Sequence, residues 1–143
     1  NRQRIAGAGQ QRRPGLKILT HLGISPSLVG TGSVSAAGRA SASLTTLPEM
    51  AADAQGLVHG GFVFGLADYA AMLAVNDPYV VLGSAESRFL APVRVGETLI
   101  AEAVAQETQG KKRRVDCSVR QAEKEVFSAT FTCFVLPRHV LES

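Results

Sequence analysis

The sequence holds only two cysteines in 143 residues, Cys117 and Cys133. That is too few for a disulfide scaffold, and no metal-ligand cluster surrounds either one. Each lies in a separate apolar, strand-like segment, where a thiol reads as a small core residue in a reducing cytosol. Long apolar runs are missing as well. Nothing approaches the ~20 residues that span a bilayer, and the nearest candidate, Phe62 to Val75, is interrupted by Asp68. The polar, basic N-terminus has no apolar stretch behind it, so no secretory signal is expected and the cytoplasm is the expected compartment. Neither an internal repeat nor a linker marks a second domain. With 45% apolar and 19% charged residues, the chain reads as one globular domain with its own core.

Charge is also scarce. The formal net charge is +3, concentrated in Arg2, Arg4, Arg12, Arg13 and Lys17 and in the KKRR run at 111–114. A nucleic-acid surface needs more than this, whereas a site for a phosphorylated small molecule does not. Residues 1–14, NRQRIAGAGQQRRP, show no hydrophobic periodicity and read as a flexible basic arm ahead of a single domain at 15–143.

What is present is one long apolar segment, GLVHGGFVFGLADYAAMLAVN, from Gly56 to Asn76. It predicts a helix from about Gly60 to Val75, stopped by Asn76-Asp77-Pro78. A helix apolar nearly all round is a buried helix. Its Gly65, Ala67, Ala70, Ala71 and Ala74 let other backbone come close. A carboxylate at Asp68 in such a helix must be paired, solvated by a cleft, or put to use.

Around this helix the pattern is mostly strand. Pro14 can start a short helix carrying Leu16, Ile18, Leu19 and Leu22, with Gly23 as its stop. Leu28 to Leu47 reads as one long strand bent at Gly38. After Pro78 the period is two: strands are expected at 79–90, 98–107, 113–123 and 126–136, with a hairpin turn at Gln109-Gly110. The last strand is apolar on both faces towards its end and is expected inside the sheet. This order is an α+β pattern, a curled antiparallel β-sheet wrapped around one long central helix. Apolar residues on both sides of the strands argue for a partner subunit covering the outer sheet face.

The run V-H-G-G-F-V-F-G-L-A-D-Y-A at 58–70 resembles the hot-dog-fold acyl-CoA thioesterases of the PaaI type (the phenylacetate-pathway group). The downstream S-R-F-L-A-P-V-R-V-G-E at 87–97 is similar to that family's next strand and turn. The resemblance implies a hot-dog fold and a homodimer, often a dimer of dimers, with the active site across the subunit interface. It implies hydrolysis of an acyl-CoA, with coenzyme A as part of the substrate and no separate cofactor or metal. By the same resemblance Asp68 would be general base or nucleophile, the N–H of Gly61 with Gly60 beside it would polarise the carbonyl, and His59 would position substrate or water. Two departures stand out. Ala-Asp-Ala-Gln at 52–55 replaces a stretch that carries an Asn in many relatives, and Gly15 stands where some have an upstream Asn.

The residues support this chemistry on their own terms. A helix N-terminus offers unpaired N–H groups and partial positive charge. Two glycines let a substrate oxygen approach those donors. A desolvated Asp has a raised pKa and is a better base. His59 and Asp68 are nine residues apart, ~13 Å along a helix axis, so they need not meet in one subunit. The blander alternative is a helix-entry turn, with Asp68 paired to Arg88 or Arg39.

Substrate contacts are expected at Phe62 and Tyr69 for the acyl group, at Ser84 beside the carboxylate, and at Lys112 and Arg113 for phosphates, with Arg88 and Arg94 as alternative phosphate partners. His21 and His139 are isolated in the sequence. A non-catalytic, ligand-sensing acyl-CoA-binding module is the competing function.

Overall fold

The computed structural model describes residues 15–142; the arm expected at 1–14 lies outside the described residues. Six strands form one antiparallel sheet: β1 (Thr31–Ala36), β2 (Arg39–Thr45), β3 (Val80–Phe89), β4 (Thr98–Gln109), β5 (Lys112–Gln121) and β6 (Lys124–Val135). They lie in the order β1-β2-β4-β5-β6-β3. A one-turn helix α1 (Pro26–Val29) precedes the sheet, and the long helix α2 (Gly60–Val75) connects β2 to β3. The curled sheet around one central helix is therefore present, and β6 lies inside the sheet as expected.

The register explains why the sheet wraps α2. One inner row runs Ala42, Ala101, Val119, Phe127, Phe89 across five strands, and the next runs Ala40, Ala103, Cys117, Ala129, Ser87. Small side chains on β2 and β4 let the sheet approach the helix, while Phe127 and Phe131 fill the wider end. On the helix, Leu66, Ala67, Ala70, Ala71 and Leu73 are fully buried. No helix among the described residues is long and apolar enough to cross a membrane.

Three expectations change. The segment at 28–47 is a short helix and a hairpin rather than one strand: Gly38 adopts φ +80 and turns the chain so that Val34 pairs with Ala40. Both hairpin arms alternate small residues with the same period, so a bend and a reversal look alike in sequence. Leu16 to Leu22 form no helix. The chain instead bridges Leu16 to Val34, is clamped at Lys17 and Leu19 by Asn76, whose Oδ1 accepts from Leu19 N–H (2.9 Å) while its Nδ2 donates to Lys17 O (2.9 Å), and then bends at Thr20 and His21. Asn76 is the left-handed cap of α2, which aims its side chain out of the helix end.

The middle of the outer sheet face, thirdly, is largely polar, with Ile100 and the Val81–Phe134 pair as apolar exceptions in rows further out. The two middle rows read Ser41, Glu102, Ser118, Ser128, Arg88 and Arg39, Val104, Asp116, Thr130, Glu86. The apolar surface that needs a cover sits instead at the edge of the sheet, where Phe89 is 57% and Leu90 49% exposed.

Candidate active site

The entry to α2 is fixed by main-chain bonds. Asp53 Oδ1 accepts from Gln55 N–H (2.9 Å) and Leu57 N–H (3.2 Å), which closes the loop before the helix. Val58 N–H donates to Val93 O (2.9 Å), Val95 N–H to Gly56 O (2.8 Å) and His59 N–H to Met50 O (2.9 Å). Asp53 thus holds the loop that carries the His-Gly-Gly turn.

His59 is the N-cap residue, and no side chain caps the helix there. Phe62 N–H turns back onto His59 O at 3.1 Å. The N–H groups of Gly60 and Gly61 have no acceptor among the described residues. A Cβ on Gly61 would lie 3.1 Å from His59 Nε2, and one on Gly60 3.1 Å from Phe89 Cε2. The missing side chains keep both donors open. Beside Gly60 lies an apolar slot of about 270 Å³ lined in part by Val58, Val63, Phe89, Leu90 and Val93.

Two helical turns on, Asp68 stands between the buried Ala67 and Tyr69. Its Oδ1 is buried with no hydrogen-bond partner among the described residues. Burial raises its pKa, as expected for a desolvated carboxylate, and the nearby His21 pulls it partly back. Burial likewise lowers the pKa of His21, against the opposing charge of Asp68. Neither Arg88 nor Arg39 pairs with Asp68, since the register puts both in the outer rows.

His21 escaped sequence reasoning because nothing local marks it. The Asn76 clamp delivers its segment to the helix, a left-handed backbone (φ 56) turns it inward, and Thr20 Oγ1 holds Nδ1 at 2.8 Å. Its ring stands 6.5 Å from that of Tyr69. His139, equally isolated in sequence, lines the same cavity of about 250 Å³.

The remaining expected contacts separate. Phe62 is half-buried and edge-on to His59, with ring centres 6.2 Å apart. Tyr69 is a core residue whose ring packs against Gly32. Ser84 lies opposite Thr132 on the outer face, beside the bulge at Gly83, and Arg88 lies opposite Ser128 on the same face. Lys112 pairs with Phe134, whereas Phe89 at the helix entry pairs with Phe127. That offset is roughly 23 Å along the strand. Arg113 Nη1 donates to Gly110 O (2.6 Å) and to Lys112 O (3.1 Å) across its own hairpin turn. Within one protomer neither cation reaches the His-Gly-Gly turn.

Both cysteines are free and buried. Burial, and then the charge of Asp68, pushes Cys117 up to about 12 and Cys133 up to about 11, so neither is a nucleophile. Among the described residues no group of three or more metal-binding side chains is placed to hold an ion.

Comparison with known proteins places this geometry. The chain is 50% identical to an uncharacterized protein from Pyrococcus horikoshii whose crystal structure superposes with a TM-score of 0.87, covering 90% of this chain and 99% of that one. It is 29% identical to a mutant of the phenylacetic acid degradation protein PaaI from Thermus thermophilus, at a TM-score of 0.65 over 71% of this chain and 88% of that one. Among curated proteins it is 47% identical over 122 residues to the methylthioribose-1-phosphate isomerase of Aquifex aeolicus, covering 85% of this chain and 27% of that one. It is 29% identical over 86 residues to the transcription factor FapR of Caldanaerobacter subterraneus, covering 60% of this chain and 43% of that one. The chain thus spans about a quarter and less than half of these two curated relatives. The family model of the thioesterase superfamily matches residues 55–128, a span that contains the His-Gly-Gly turn, all of α2, and β3 through part of β6. By fold, and by that match over more than half its length, this chain belongs to the thioesterase superfamily and has the hot-dog fold.

Proposed function

We propose that the chain is an acyl-CoA thioesterase that hydrolyses a thioester to the free acid and coenzyme A. One observation carries the reading. A buried carboxylate with an unpartnered oxygen, Asp68, shares a helix with two N-terminal N–H groups that have no acceptor among the described residues. In the proposed reaction Asp68 takes a proton from water as the water oxygen bonds to the thioester carbon. The N–H groups of Gly60 and Gly61 hold the oxyanion that forms. The carbon–sulfur bond then breaks, and the departing thiolate takes the proton back from Asp68. Direct attack by the carboxylate uses the same groups. His59, between the slot-lining Val58 and Gly60 in the chain, positions substrate or water, and no cofactor is required.

Because the donors and Asp68 lie ~11 Å apart along one helix, the site is completed by a second copy. Strand β3 supports a homodimer: it ends the sheet, its residues from Gly83 to Phe89 are all exposed, and it carries neither Lys nor Pro to blunt its edge. Pairing β3 with its copy would bring the α2 face that bears Asp68 towards the partner's helix entry. Further assembly as a dimer of dimers belongs to the same proposal.

The test is thiol release from a panel of acyl-CoAs, with direct binding measured in parallel. Turnover above the uncatalysed rate is expected. Tight binding of acyl-CoA without turnover would replace this reading by a non-catalytic, ligand-sensing module, for which the similarity to a transcription factor over 86 residues is the specific support.

A further inference from the structure

Beyond the apolar slot lies a second cavity that the chemistry above does not use. Its volume is about 380 Å³, and its wall includes Asp53, Pro92, Arg94, Glu97, Gln121 and Lys124. Pro92 lines both cavities, so an apolar slot beside Gly60 and a charged basin adjoin on either side of it.

The basin has two cations and two carboxylates, but their engagements differ. Asp53 Oδ1 is held by the N–H groups of Gln55 and Leu57, and Glu97 Oε1 by Arg94 N–H at 2.8 Å. Both carboxylates thus have their main-chain partners already. The Arg94 guanidinium and the Lys124 ammonium are exposed and form no ion pair or hydrogen bond with any described residue. Arg94 is also rigidly mounted. Its carbonyl accepts from Thr46 Oγ1 (3.1 Å), and its neighbour Val95 is bonded to Gly56. Two cations without a partner among the described residues, next to an apolar slot, suit an anion on a long neutral arm.

We propose that this basin is the phosphate subsite of the thioester substrate. Arg94 and Lys124 take the phosphate groups of coenzyme A, the slot between Phe89 and Val93 takes the pantetheine arm, and the thioester carbonyl reaches Gly60 and Gly61. The inference rests on the thioesterase reading and moves the phosphates away from the Lys112–Arg113 hairpin, which lies at the opposite end of the sheet.

The experiment compares one short acyl group on three carriers: coenzyme A, 4′-phosphopantetheine and pantetheine. Wild type, R94A/K124A, the charge-preserving R94K/K124R and K112A/R113A are assayed, each checked for its melting temperature. R94A/K124A is expected to raise KM for the coenzyme A thioester at least 10-fold with kcat unchanged, and to leave the pantetheine thioester unaffected. R94K/K124R should recover most of the loss, and K112A/R113A should behave as wild type.

An equal KM increase on the phosphate-free thioester would overturn the subsite, as would the same KM for coenzyme A and pantetheine thioesters in wild type. A KM increase carried by K112A/R113A instead would also overturn it. Each of these results leaves the thioesterase reading standing. If wild type hydrolyses none of the three esters, that reading fails. Calorimetric titration with adenosine 3′,5′-bisphosphate then decides the subsite alone, and binding unaffected by R94A/K124A overturns it.

Discussion

Gly60 and Phe89 meet where the helix enters the sheet: a methyl group on Gly60 would sit 3.1 Å from Phe89 Cε2. The contact joins the two motifs that sequence alone separates by almost thirty positions, the His-Gly-Gly turn and the Phe-Leu-Ala-Pro segment. It also sets the width of the slot beside the N–H donors. Gly61, one residue on, faces out and is crowded only by the His59 ring.

Gly61→Ala should therefore separate activity from stability. Alanine suits a helix better than glycine, so the melting temperature is expected to hold or rise slightly. The methyl group stands over the approach to the donors, and kcat/KM is expected to fall at least ~10-fold. Paired thermal melts and thiol-release kinetics check this; a stable variant with full activity would remove Gly61 from the oxyanion site.

Gly32→Ala should do the reverse. A Cβ there would collide with Leu73 Cδ1 and lie 3.0 Å from Tyr69 Cε2, both in the core beneath β1. Overpacking of this kind costs about 1–3 kcal/mol. Urea unfolding is expected to show that loss, and a midpoint equal to wild type would mean that β1 packs less closely on the helix.

The pH dependence follows from the direction of the Asp68 shift. If the ionised form is the base, activity falls as pH drops through a pKa raised above 3.8. His21 faces Asp68 and lowers its pKa, while Cys117 and Cys133 stay neutral throughout this range. His21→Asn tolerates the left-handed backbone and removes the cation. The acidic limb of kcat/KM is then expected to move to higher pH. A limb that stays in place would separate His21 from the catalytic carboxylate.

Edge pairing of β3 predicts a charge pattern. An antiparallel pair centred on Ser87 sets Glu86 opposite the partner's Arg88, on the outer face in both copies. Glu86→Arg is expected to weaken the dimer in sedimentation at low salt, and E86R/R88E to restore it. A double variant as weak as the single one would exclude that register.

How far the sequence is legible depends on whether a feature is local. α2 is legible because its apolar run, its glycine entry and its Asn-Asp-Pro stop are contiguous, and the structure gives Gly60–Val75. Strands β4 to β6 are legible for the same reason, since alternation and turns lie within each hairpin, and β3 is legible by its period of two alone, its pairing with β6 being a long-range one. The N-terminal leucines are not. Their spacing fits a helix, but the Asn76 clamp, contributed from 57 and 59 positions away, ties up the main chain of Lys17 and Leu19 outside a helix. His21 reaches Asp68 by the same clamp, and Arg94 and Lys124, thirty positions apart, line one cavity, a pairing that no local pattern announces. Asp68 and the His-Gly-Gly turn are legible as a motif; their lack of partners is a tertiary fact.

The central claim is that Asp68 is the base, and Asp68→Asn tests it most directly. Because the folded pKa is raised, the fold prefers the protonated group. Its penalty is absent below the unfolded carboxylate pKa and complete above the folded one. At pH 7 the variant is thus expected to be as stable as wild type or more so, by up to ~1 kcal/mol, an advantage that shrinks as pH falls towards 3.8. With folding secured, the measurement is kcat/KM for acyl-CoA hydrolysis by wild type and D68N at pH 7. A loss of ~10²-fold or more is expected; hydrolysis within a few fold of wild type would contradict the mechanism.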